Sequence, residues 1–200
     1  MYAAPDLDAA CAEVERRFGV RPTIGGQHLG RGTRNALISI GEKSYLEIIG
    51  PDPAQPAPSA DRWFGIDDLE SPRLVAWAAH GTNLQQIVQD ALQRGIHLGA
   101  VGTGGRTRPD GVVITWKVTD PTTIVGGGVV PFFIDWGASP HPATTAVPGP
   151  RLIGLRAEHP DPDSVKTSLA ALDLELRVDA GPRAALLATF ESASGTVELR

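Results

Sequence analysis

One order of elements recurs along this chain and narrows its fold more than any other feature: a short apolar run, an amphipathic helix, then three β-rich runs. The first helix is the clearest. Asp6 can cap it, and Leu7, Cys11, Val14 and Phe18 follow at i, i+4, i+7 and i+11. Arg16 and Arg17 fall in its last turn, where cations complement the helix dipole, and Gly19 is placed to end it. Residues 20–24, 36–40 and 44–49 read as strands, with a turn at 41–43 and a stop at Gly50-Pro51-Asp52-Pro53. The order returns with a strand at 73–78 and a helix capped by Thr82 or Asn83 that carries Leu84, Ile87, Val88, Ala91 and Leu92. Strands at 97–101, 112–118 and 129–136 complete that copy. A third copy runs from a strand at 152–157 through a helix with Asp161 as cap and Pro162 at its first position. Leu174, Leu176 and Val178 then alternate with polar residues, and 185–190 and 195–199 close it.

A repeat on the order of 50 to 75 residues is a supersecondary unit, not a solenoid. Each unit is a βαβββ module whose helix covers one sheet face, so the other face needs a partner or lines a pocket. The fold class expected is α+β, with paired modules at 1–53 and 73–137 inside a 1–137 unit and a third, smaller module at 151–200. A short first strand would leave an open sheet edge, which is a route to an interaction module. Two proline-rich connections, 51–63 and 137–151, join the copies, and long connections over a cleft are often functional.

Composition removes several classes of function. A net charge of −5 with scattered basic residues argues against nucleic acid. No apolar run is long enough to span a bilayer, and the N-terminus has no basic stretch followed by an apolar core. Cys11 is the only cysteine, which suits a reducing cytoplasm. No GxSxG elbow or Walker spacing occurs; the glycine-rich pieces at 102–111 and 126–130 precede strands rather than helices.

The phrases GGQHLGRGTRNALISIG, YLEIIGPDP, RTRPDGVVITWKV and PFFIDWGASPHP, in that order, resemble the glyoxalase-like domain family of the vicinal oxygen chelate superfamily. The resemblance implies paired modules curving into a half-barrel-like mixed sheet around a small-molecule cleft. It also implies one of two activities: a metal-dependent lyase, isomerase or dioxygenase, or metal-free binding of a drug or metabolite. Homodimers are common for this architecture. Metal ligands in the superfamily come from the first and last strands of each paired module. Glu47 matches the usual carboxylate position on the last strand. The first strand, expected to carry a histidine, holds only Met1-Tyr2-Ala3-Ala4 here, which suggests a truncated start or an incomplete ligand set.

Glu47 lies in the apolar run Tyr-Leu-Glu-Ile-Ile, where alternation puts Tyr45, Glu47 and Ile49 on one face. As a divalent-metal ligand it needs two or three partners; as a base it needs burial; otherwise it pairs with Arg34 or another arginine. Asp135, in Phe-Phe-Ile-Asp-Trp, echoes it one residue out of step, and either shares a cation or proton with it or caps the following turn. His28 and His141 flank strands and are the remaining metal candidates, with ordinary loop roles as the alternative. Arg106 and Arg108 can fork onto an anionic substrate or pair with Asp110 or Glu47. Arg34 and Asn35 offer polar pocket contacts, while Trp116 and Trp136 offer flat walls or core packing.

Overall fold

The computed structural model describes residues 1–192 and 195–200. The first module consists of β1 (Tyr2–Ala3), α1 (Leu7–Phe18), β2 (Thr23–His28), β3 (Thr33–Gly41) and β4 (Ser44–Pro51). Next come β5 (Arg73–Leu74) and the second module: β6 (Ala78–His80), α2 (Leu84–Gln93), β7 (Val101–Thr107), β8 (Val113–Thr119) and β9 (Phe132–Asp135). After β10 (Val147–Pro148) come β11 (Arg151–His159), α3 (Pro162–Ala171), β12 (Arg177–Ala180), β13 (Ala185–Ser192) and β14 (Gly195–Leu199).

The paired modules share one sheet in the order β5-β1-β4-β3-β2-β7-β8-β9-β6, with β10 extending beside β3. In each module the first strand lies parallel to the last, β1 to β4 and β6 to β9. The modules join where β2 meets β7 at Gln27 and Thr107. The sheet is strongly curled, and the chain itself requires this. β5 and β6 stand at opposite ends of the strand order, yet only Val75, Ala76 and Trp77 separate them, about 10 Å of extended chain. The single strand expected at 73–78 is therefore two, and they pin the ends of the half-barrel together. β1 is flanked on both sides, by β4 and β5, so the open edge expected there is covered.

Two other expectations change. β7 runs over Val101–Thr107 and takes in Gly102, Gly104 and Gly105, while 97–101 is irregular apart from its last residue. The third segment repeats the order of elements but not their pairing. Its first strand, β11, lies between β12 and β13 in a separate sheet ordered β12-β11-β13-β14. A short parallel βαβ crossover puts β12 directly beside β11.

The helices follow their sequence signals. Asp6 accepts the Ala9 amide at 3.0 Å, and Gly19 closes α1 in the left-handed region. Asp161 accepts the Ser164 amide at 3.1 Å ahead of α3. Asn83 holds the cap position of α2 without a side-chain bond. Leu7, Val14 and Phe18 of α1 pack with Ile38 and Ile48 of the curled sheet and with Leu186 and Phe190 of the second sheet, forming a single core. Cys11 is half-buried on α1, where burial pushes its thiol up to about 11, so it stays protonated. Among the described residues no helix is long and apolar enough to cross a membrane.

Candidate functional site

Alternation along β4 sends Leu46 and Ile48 to the core under α1 and turns Tyr45, Glu47 and Ile49 into the concave face of the half-barrel. β9 follows the same rule: Phe132 and Ile134 face inward, while Phe133 packs beneath α2. The hollow they line is narrow, about 50 Å³. Its walls are aromatic. Trp116 and Trp136 meet at 5.1 Å between ring centres, and Trp63 stands edge-on to His28 at 5.5 Å.

A buried polar network forms one side. Glu47 is 8% exposed, His28 2%, Asn35 3% and Arg106 3%. Asn35 joins them: its Nδ2 donates to Glu47 Oε1 at 2.7 Å, and its Oδ1 accepts from Arg106 Nη1 at 3.3 Å. His28 Nε2 lies 3.9 Å from Glu47 Oε1, and His28 Nδ1 lies 3.0 Å from Thr33 Oγ1. Burial holds the His28 pKa below its ordinary value; Glu47 opposes that shift and Arg106 reinforces it. Burial likewise raises the Tyr45 phenol well above its usual range, with Glu47 adding to the effect. It also lowers the Arg106 pKa, against the pull of Glu47.

Glycines make the room. A methyl group on Gly25 would overlap Asn35 Oδ1 and Arg106 Nη1, and one on Gly104 would overlap the Trp116 indole. These strand glycines leave the inner face to the side chains lying across them.

Several candidates lie elsewhere. Arg34 is the strand neighbour of Asn35, so it faces out and its Nη2 donates to Asp8 of α1 at 2.9 Å. Arg108 pairs with Asp110 at 2.6 Å in the β7–β8 turn. Asp135 points away from the hollow and accepts the Gly137 amide at 2.9 Å. The reason is register: Glu47 and Ile134 each stand three residues before the strand-ending Gly50 and Gly137, so Ile134 takes the position facing Glu47. His141 accepts the Ala143 amide through Nδ1 at 3.2 Å and lies beyond Tyr45 and Trp136 from Glu47.

Two wall residues fall outside the set that the motifs picked out. Tyr45 shares the face of Glu47, which alternation alone gives. Trp63 comes from the proline-rich 51–63 connection. Asp52 anchors that segment by accepting from Gln27 at 2.7 Å, Gln55 at 2.8 Å and the Ala54 amide at 3.0 Å. Phe64, beside Trp63, holds a left-handed backbone at φ 63° to keep its ring in the wall.

This donor set falls short of what a divalent ion requires. Met1, just before β1, lines the hollow with Glu47 of β4 and Ile134 of β9, and His80 of β6 lies outside it. Glu47 and His28 are two donors, Arg106 stands beside them, and among the described residues no group of three His, Cys, Asp or Glu gathers anywhere. A catalytic zinc site uses three protein ligands. The residues present fit a proton better than a divalent cation.

A model of the family described as "Glyoxalase-like domain" matches residues 1–172. The chain belongs to the glyoxalase-like domain family. A crystal structure of a hypothetical protein from Staphylococcus aureus shares the fold of this glyoxalase-like chain over 100% of its length and 96% of that protein, at TM-score 0.70 and 11% identity. The second sheet is thus part of a shared architecture. A methylmalonyl-CoA epimerase from Streptomyces coelicolor, in complex with 2-nitronate-propionyl-CoA, covers 70% of this chain and 94% of its own at TM-score 0.43 and 18% identity. No curated protein matches the sequence.

Proposed function

We propose that this glyoxalase-like protein binds a small, flat organic molecule bearing a carbonyl or carboxylate oxygen, and that its hollow supports proton transfer beside that oxygen. Arg106 carries the reading. It is 3% exposed, and among the described residues its guanidinium makes one hydrogen bond, the long one to Asn35, and meets no carboxylate within 4.0 Å. Glu47 acts on this buried guanidinium only across the Asn35 amide, and a ligand oxygen at the wall supplies a direct partner. The indoles of Trp63, Trp116 and Trp136 suit a flat apolar body.

Asn35 holds the acceptor and the cation on its two ends, so Glu47 and Arg106 are spaced by one amide. A proton leaving the carbon next to the carbonyl goes to Glu47, and the electron pair moves onto the oxygen, whose charge Arg106 stabilises. Return of the proton to the same carbon or its neighbour completes an isomerisation. His28, kept neutral by burial, adds no competing cation. The missing third donor favours this metal-free reading over a metal-dependent one.

Phenylpyruvate is a suitable probe: a flat ring, a 2-oxo acid and an acidic methylene. It is expected to quench tryptophan fluorescence and to exchange its methylene protons for deuterium faster with protein than without. Glu47→Gln should keep binding and slow the exchange by about a hundredfold. Arg106→Gln should weaken binding by about tenfold or more. Chelator or added divalent ions should change neither. Binding without exchange would make the protein a sequestering one, and wild-type affinity in Arg106→Gln would end the proposal.

A further inference from the structure

A larger space lies behind the hollow. It has a volume of about 210 Å³ against about 50 Å³ for the hollow, and Met1, Tyr45, Ile134 and Trp136 form the partition between the two. Both sheets wall it: Ile40 and Leu46 from the curled sheet, Leu74 from β5, and Leu155, Leu186 and Ala188 from the second sheet. Lys43 of the β3–β4 turn, His80 of β6 and His141 of the second connection line it with Ser44 and Met1, and among the described residues no aspartate or glutamate does.

These three basic groups are not spoken for by acids. Among the described residues no carboxylate lies within ion-pair distance of Lys43, His80 or His141. His141 Nδ1 accepts the Ala143 amide, so the ring proton of the neutral form sits on Nε2, a donor with no partner among the described residues. Burial lowers the His141 pKa, and the neighbouring His80 and Lys43 lower it further, so the cluster is short of negative charge.

We propose that this inter-sheet chamber is a second binding site, for a monocarboxylate with an apolar body, its tail among the aliphatic side chains and its carboxylate at Lys43, His80 and His141. The apolar walls give affinity through buried area, and the acid-free mouth gives preference for an anion. The proposal is independent of the chemistry assigned to Glu47 and Arg106.

Calorimetric titration of the full chain with butanoate, octanoate and octan-1-ol tests it. Octanoate should bind saturably at one site, more tightly than butanoate because it fills more of the chamber, and more tightly than the uncharged alcohol. Lys43 is exposed, so Lys43→Glu should fold normally and weaken octanoate by about five- to tenfold. Ala188→Trp fills the chamber and should abolish octanoate binding; if it fails to fold, Lys43→Glu and the octanol comparison still decide. Arg106→Gln should leave octanoate binding intact, which separates this site from the hollow. No saturable octanoate binding to wild type, equal affinity for the alcohol, or loss of octanoate binding in Arg106→Gln would each overturn the proposal.

Discussion

A carboxylate, an imidazole and a guanidinium share one buried corner here, and the first two are tolerated for different reasons. Glu47 takes a short hydrogen bond from Asn35 and the field of Arg106. His28 avoids the cost by staying neutral. That neutrality makes a stability prediction. The folded pKa of His28 lies below its unfolded value near 6.5, so the unfolded chain binds the proton first as pH falls. Stability should therefore be full above about pH 7 and decline below about 6.5, with a slope of at most about 1.4 kcal/mol per pH unit for one histidine. His141 is shifted in the same direction and adds to the slope. Urea midpoints measured from pH 7.5 to 5 in wild type and His28→Gln check this: the variant should show the shallower decline. An equal slope in both would mean that His28 already carries its proton in the folded protein.

The elements that the sequence disclosed are those in which one physical signal dominates. α1 announces itself by cap, stripe and terminal glycine, and β3, β4 and β8 by dense β-branched and apolar residues. β7 was hidden because Gly102, Gly104 and Gly105 have poor strand propensity. Their value is negative space, which only the neighbouring strands reveal. The site was legible to the same extent: alternation brought Glu47 to the inner face, but the outward turn of Arg34 and Asp135 depended on register, and Trp63 on the path of a connection. The two site glycines give contrasting predictions. At Gly25 the atoms in the way are the ends of Asn35 and Arg106, which can swing aside. Gly25→Ala should thus cost little stability, on the order of 1 kcal/mol, yet weaken phenylpyruvate about as much as Arg106→Gln does. At Gly104 the obstacle is the Trp116 indole, itself packed on Trp136. Gly104→Ala should lower the melting temperature as well, by an amount corresponding to about 1–3 kcal/mol. Thermal melts beside fluorescence titrations separate the two; a Gly25→Ala variant that binds normally would show that Arg106 need not lie across β2.

On the scale of the whole molecule, recurrence of βαβββ in the sequence suggested three like units, and the third proved different because element order does not fix strand pairing. What binds it to the rest is a common core. Phe190 of β13 is 1% exposed and meets Phe18 of α1 at 5.1 Å between ring centres, so the second sheet seals the apolar face that α1 and β4 leave uncovered. If the second sheet were a separately folding unit, a cavity at Phe190 would soften that unit alone and split the melt into two steps. With a shared core, the loss is felt everywhere. Phe190→Ala should cost about 3–5 kcal/mol and lower the melting temperature by on the order of 10 °C as a single transition. Differential scanning calorimetry distinguishes the cases, because a shared core keeps the calorimetric and van't Hoff enthalpies equal in the variant. Two resolved transitions, only one of them displaced, would mean that the sheets fold apart and that the chamber between them is an interface between two independent bodies.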